Sequence, residues 1–220
     1  NGDGVQTLHW AANTHFDIDG DGDLDNVGWV GQGDGLLALD RNGDGLINDG
    51  GELFGEATRL ADGSKADDGF AALAELDSNA DGRISADDAL FSSLRVWVDA
   101  NQDGASQAGE LYNLSSLGIV SINLDAEQTS QVDNGNWIGL SGSYETADGS
   151  IHSIVDAWFR NGGSQGQSID LTAVNADLVT DGSLSRIDLA QDAGKATTLT
   201  LDAEAVSQFG RVGLVETGLG

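Results

Sequence analysis

The twelve residues Asp99–Glu110, DANQDGASQAGE, place oxygen-bearing side chains at positions one, three, five, nine and twelve. Three more segments repeat the D-x-[DN]-x-D-G pattern: DIDGDGDLD from Asp17, DRNGDGLINDGGE from Asp40 and DSNADGRISADD from Asp77. Side-chain oxygens at alternate positions around a glycine turn are the donor set of a hard cation. Calcium takes six to eight oxygens, from side chains at positions one, three and five, a backbone carbonyl at seven and an acid near twelve. Magnesium demands stricter octahedral geometry and retains more water, so the pattern favours several calcium ions.

The spacing nominates the ligands. Loop three offers Asp77, Asn79, Asp81, the carbonyl of Arg83 and Asp88; loop four offers Asp99, Asn101, Asp103, the carbonyl of Ala105 and Glu110. Loop two offers Asp40, Asn42, Asp44 and the carbonyl of Leu46, with Glu52 one residue late. Loop one offers Asp17, Asp19 and Asp21 but has no acid at position twelve, so Asp23 and Asp25 are expected to compensate. Two carboxylates about 4 Å apart repel by roughly 4 kcal/mol at an effective dielectric of 20. Each site filled at 100 times its dissociation constant adds about 2.7 kcal/mol. Four such sites approach the 5–15 kcal/mol or so of a whole domain, so the metal-free chain is expected to be loose or unfolded.

Composition narrows the partners. Thirty-seven acids against nine bases give a net charge of −28, which repels nucleic acid and anionic lipid alike. No apolar run approaches a membrane span. Cysteine is absent, which removes disulfides and thiolate zinc sites. Methionine is absent too, and the chain is expected to be a monomeric module of something larger, with any export signal elsewhere. Weak calcium sites fill outside the cell, which points to secretion or an extracellular place on the cell surface.

Around the loops the sequence predicts an α+β fold, a calcium-loop-rich domain with short helices and an antiparallel β-sheet. Helices are expected over Asp67–Leu76, Asp87–Leu94 and Ala108–Gly118, the last capped by Gly118. Strands are expected over Val27–Val30, Gly35–Asp40 and RVWVD, then in IVSINLD, NWIGLSGSYET and SIHSIVDAWF, with turns at DNGN and ADGS. Residues 1–162 form the calcium-dependent domain. Residues 163–220 are a linker, read in NGGSQGQS, and a β-rich extension or part of a next domain, with a possible closing helix.

Other chemistry finds little support. His9, His15 and His152 match no zinc spacing, and no nucleophile elbow, Walker loop or dinucleotide fingerprint occurs. The tryptophans sit in strand-like apolar runs and read as core, with Trp10 and Trp29 as alternatives for a ligand groove.

The run FDIDGDGDLDNVGWVGQGDGLLALDRNGDGLINDGGELFG, then GFAALAELDSNADGRISADDALFSSLRVWVDANQDGASQAGEL and LGIVSINL, resembles a calcium-dependent module of giant RTX proteins over about residues 1–160. Two branches share this look. The peptide-binding domain of RTX adhesins captures the C-terminal peptides of cell-surface proteins. The self-processing module of RTX toxin-like proteins cleaves an Asp-Pro bond at its own N-terminal boundary and can join the new end to a lysine. The chain holds no proline and hence no Asp-Pro bond. Its hairpin ending VDAWF looks more like the adhesin branch. The resemblance therefore implies a non-enzymatic adhesion module with a cation-assisted carboxylate site. The Gly-rich turn nominates Trp29, Gln32 and Asp34 for the peptide. A self-processing module acting on a bond outside the chain, and a calcium-rigidified spacer, are the alternatives.

Overall fold

The computed structural model describes residues 4–162 and the strand 209–216. The chain divides into two compact units, residues 1–162 with 208–220 and residues 163–207. The second unit lies outside the described residues, as do most of the expected linker and the expected closing helix.

Strands run β1 Thr7–Leu8, β2 Thr14–Phe16, β3 Asp25–Val27, β4 Trp29–Val30, β5 Asp34–Ala38, β6 Arg83–Ser85, β7 Arg95–Trp97, β8 Leu111–Asn113, β9 Ile119–Asn123, β10 Glu127–Asp133, β11 Asn136–Thr146, β12 Ile151–Arg160 and β13 Phe209–Glu216. Nine of them form one antiparallel sheet in the order β6-β9-β11-β12-β13-β5-β7-β8, with β10 on the outer part of β11. Two short pairs, β1 with β4 and β2 with β3, complete the β-structure.

Side chains alternate across a strand, and here both faces are covered. Leu37, Leu39, Val96, Val98 and Ile154 pack with Phe54, Phe70, Leu73, Ile84 and Ile122 in one core. Their neighbours Leu36, Ala38, Trp97 and Val155 pack with Phe16, Val27, Trp29, Leu53 and Phe159 in a second. This two-sided burial is why GLLALD reads as an unbroken apolar run rather than an alternating one.

The expected α+β class does not hold: the fold is mostly β. The α-helix among the described residues is a six-residue segment, α1 Gly69–Ala74, where a helix over Asp67–Leu76 was expected. Asp68 accepts the Ala71 N–H at its start, and the fully buried Asp156 accepts the Gly69 N–H at 2.9 Å. Over Asp87–Leu94 only the 3-10 turn Phe91–Ser93 forms. There Asp88 turns back toward Ser78 and Ser85.

Over Ala108–Gly118 the structure has β8 and the 3-10 turn Leu114–Leu117. The Val98 N–H donates to the Glu110 carbonyl at 2.9 Å, so the backbone at 110 is already committed to pairing with β7. Gly118 does end the segment in the left-handed region, at φ 73°.

Candidate metal centres

The four loops share one backbone. In each, the carboxylate at position one accepts the N–H of the glycine at position six: Asp17 from Gly22 at 3.0 Å, and Asp40 from Gly45, Asp77 from Gly82 and Asp99 from Gly104 at 2.9 Å. The oxygen at position three accepts the N–H at five, through Asp19, Asn42, Asn79 and Asn101. The acid at five accepts the N–H at seven, so Asp21, Asp44, Asp81 and Asp103 receive Asp23, Leu46, Arg83 and Ala105. This pattern turns one set of carboxylates inward.

A signal the spacing does not carry lies at position four. Gly20, Gly43, Ala80 and Gln102 all take positive φ, at 73°, 78°, 57° and 59°. Only glycine does so without steric cost, so Ala80 and Gln102 are held there by the turn.

Three loops are closed in the same way. The late acid bridges the N–H groups of positions two and nine: Glu52 takes Arg41 and Asn48, Asp88 takes Ser78 and Ser85, and Glu110 takes Ala100 and Gln107. The extra residue of loop two is taken up by the 3-10 turn Gly50–Glu52, so Glu52 reaches the two groups that Asp88 and Glu110 reach. The Ser85 N–H, followed by the Ser78 and Asn79 N–H groups and the Ser78 hydroxyl, holds Asp88 below the ordinary aspartate range against opposing burial.

Loop one is open at that point. Carboxylate oxygens of Asp17, Asp19 and Asp21 lie within 4.8 Å of one another, three acids where the other loops have two and an amide. Asp25 accepts the Asn161 side-chain amide at 2.8 Å. Burial first, then the charges of Asp19, Asp21 and Asp17, push its carboxyl above the ordinary value, against the opposing Asn161 hydrogen bond. Asp23 is exposed and at position seven offers its carbonyl. Oxygen donors gathered at loop one fit a hard cation there, and the other three loops repeat its backbone turn.

The loops are not equally seated. The exposed Asp21, Asp44 and Asp81 contrast with Asp99, which is 2% exposed. Asp99 also accepts the indole N–H of Trp29 at 2.8 Å, and Glu110 that of Trp97 at 3.3 Å. Those two indoles meet edge-to-face and pack at a tilt against Phe16 in the second core. Gly104 is pressed to β2, where an added Cβ would lie 2.3 Å from the His15 carbonyl. Loops two and four meet at position eight of each, the Ile47 N–H donating to the Ser106 hydroxyl at 2.7 Å. The serine at that position thus joins the two loops by a hydrogen bond.

The three residues nominated for a peptide do not share a surface. Trp29 is fully buried and engaged by Asp99, Asp34 is 2% exposed and accepts the Gln6 N–H at 2.8 Å, and Gln32 alone is exposed. Trp97 and Trp158 are likewise buried, while Trp137 lies 39% exposed against Trp158.

A polar cluster that the motifs do not reveal holds the N-terminal strand. The Thr7 N–H donates to Asp133 at 2.7 Å, and its hydroxyl lies 2.8 Å from the same carboxylate and 2.9 Å from the Asn136 amide nitrogen. Asn134 and Asn136 donate to the carbonyls of Thr7 and Leu8, both at 2.8 Å. Asn136 is fully buried and also accepts the Arg160 N–H at 2.9 Å. An added Cβ at Gly28 would lie 2.0 Å from its oxygen, so the glycine is required there. The DNGN turn is visible in sequence as a hairpin; its second task is not.

Residues 1–160 match the family model described as SPM domain, and the chain belongs to that family. It is 42% identical over 204 residues to the iron-regulated protein FrpA of Neisseria meningitidis serogroup C. That alignment covers 91% of this chain and 18% of the relative, so the chain spans under a fifth of the protein it matches. Among the described residues no helix is long and apolar enough to cross a membrane.

Proposed function

We propose that this chain is a calcium-triggered self-processing module of a secreted or surface-exposed bacterial protein, acting on an Asp-Pro bond on its N-terminal side. The observation that carries the reading is the SPM family match over residues 1–160; the family's initials are those of the self-processing module that the sequence resembles. This reverses the order in which the sequence ranks the two branches. The peptide-binding reading draws less support from the geometry, because two of its three nominated residues, Trp29 and Asp34, are buried and already engaged.

The chemistry needs no metal-bound nucleophile. An aspartate carboxylate before proline attacks its own backbone carbonyl, and the C–N bond to proline breaks. The proline nitrogen leaves with a proton, and the cyclic anhydride is opened by water or by a lysine amine. Carboxylates serve as nucleophiles when geometry places them, and placement is what a folded module supplies. When bound, calcium supplies the positive charge that lets four acidic loops close. The chain's own part is to fold around them and hold its N-terminal segment.

The test extends the chain on its N-terminal side through an Asp-Pro bond and compares calcium with EDTA. Two fragments appearing in calcium alone, with masses for hydrolysis or for a lysine adduct, are the expected result. An intact chain in calcium, with circular dichroism showing it folded, would sink the reading. In the same samples, calcium-dependent capture of peptides with free but not amidated C-termini would favour the adhesin branch.

A further inference from the structure

We propose that Thr7, Asp133 and Asn136 are positioning residues for self-cleavage, clamping the backbone of residues 6–8 so that the chain leading N-terminally departs from a fixed point. The inference rests on the self-processing reading above.

The clamp is more elaborate than anchoring requires. Strand β1 is two residues long and, among the described residues, pairs only with β4. A strand pair this short is marginal unless tied down. Here the Gln6 N–H is taken by Asp34 and the Gln6 carbonyl by the Gly31 N–H at 2.7 Å. The Thr7 N–H, hydroxyl and carbonyl each have a partner, and the Leu8 carbonyl has Asn136. Thr7 is 2% exposed. Asn136 spends its amide nitrogen on Thr7 and Leu8 and its oxygen on Arg160. A fully satisfied buried polar network specifies one geometry more than it adds stability.

The clamp is also joined to a metal loop. The Gly28 N–H donates to the Arg160 carbonyl at 2.8 Å, and Asn161 donates to Asp25 beside loop one. The segment 160–161 thus touches Asn136 on one side and the Asp17–Asp21 cluster's neighbour on the other. Ordering loop one and ordering the N-terminal strand involve the same short stretch, which suits a reaction that waits for the cation.

Intramolecular reactions are sensitive to placement: a shift of about 1 Å can cost on the order of 100-fold in rate. The experiment uses the full chain, extended through an Asp-Pro bond, at saturating calcium. Thr7→Val keeps the shape and removes the hydroxyl that meets Asp133 and Asn136. Thr7→Ser keeps the hydroxyl, and Asp133→Asn weakens the acceptor without changing size. The first-order cleavage rate is read beside the calcium midpoint and melting temperature.

The expected result is a fall of roughly 100-fold for Thr7→Val, and a smaller fall for Asp133→Asn. Thr7→Ser is expected to recover to within a few-fold, with calcium midpoints near native throughout. Native rates in folded Thr7→Val and Asp133→Asn would overturn the inference. So would rates that fall only in proportion to the folded fraction; should Thr7→Val not fold, Asp133→Asn decides by the same two criteria. No cleavage of the native extended chain would remove the self-processing reading and this inference with it.

Discussion

Loop one and loop four carry the same D-x-[DN]-x-D-G turn and sit in opposite surroundings. Loop four keeps Asp99 buried, closes on Glu110 and fastens two of its acids to the indoles of Trp29 and Trp97. Loop one gathers three carboxylates, Asp17 buried, Asp19 half-buried and Asp21 exposed, has no closing acid and leaves Leu24 68% exposed. An identical local motif therefore serves two ends. At loop four a cation would neutralise acids that the core already holds. At loop one it would supply the attraction that the chain omits.

The largest effect expected from that contrast is at Asp99. Asp99→Ala strands the Trp29 and Gly104 donors in a buried place. Each unsatisfied donor costs about 1–3 kcal/mol, a large share of a domain's stability of about 5–15. In calcium, urea unfolding should show a loss of about 4 kcal/mol by that reckoning, with tryptophan emission shifted toward that of an exposed indole; near-native stability would break the comparison. Asp21→Ala in loop one should instead remove one bound ion, counted by titration calorimetry, and leave a folded chain. The loss there should not exceed the one-site contribution of about 2.7 kcal/mol at 100 times the dissociation constant.

Asp25→Asn sharpens the difference by pH. The carboxyl of Asp25 is raised in the folded chain by burial and by Asp19, Asp21 and Asp17. Stability tied to its proton is complete below the unfolded value and is lost as pH rises through the folded one. Asparagine mimics the protonated form at every pH. In EDTA at neutral pH the variant should hold more folded chain than the native protein, the gap closing as pH falls into the carboxylate range. In calcium the advantage should vanish or reverse. Tryptophan emission across pH, with and without calcium, measures both.

The smallest effect belongs to Ser106→Ala. It removes the acceptor of the Ile47 N–H and should cost about 1 kcal/mol, weakening binding at loops two and four together while the ion count stays unchanged. Calorimetry that finds only one of them altered would mean that the hydrogen bond does not couple the pair.

The loops were legible because calcium-type coordination ties side-chain type to alternate positions and glycine to the sixth. Gly118 and the DNGN and ADGS turns were legible for a similar reason, since positive φ narrows the choice of residue. The helices were misread where an apolar spacing suits either period. At Ala108–Gly118 the pairing of residue 98 with 110 decides for a strand, and that contact is invisible locally. Ala80 and Gln102 gave no warning of their left-handed backbone. Thr7 and Asn136 look like ordinary strand and turn residues until the fold brings them together. Trp29 looked like a groove residue on a Gly-rich turn, but its indole faces inward to Asp99.

The hydrogen bonds of the N-terminal clamp join residues 126 to 129 positions apart. Contacts so distant in sequence cannot be rewarded until the intervening chain has been ordered, and the entropy of closing that span makes them slow to form. In a chain emerging from a ribosome or an export channel with its N-terminus first, β1 and β4 leave long before the side chains that clamp Thr7 exist. They wait for the hairpin of β10 and β11. The clamp thus works as a clock: the backbone at Thr7 and Leu8 gains its last partners only when the chain as far as Asn136 has arrived and folded.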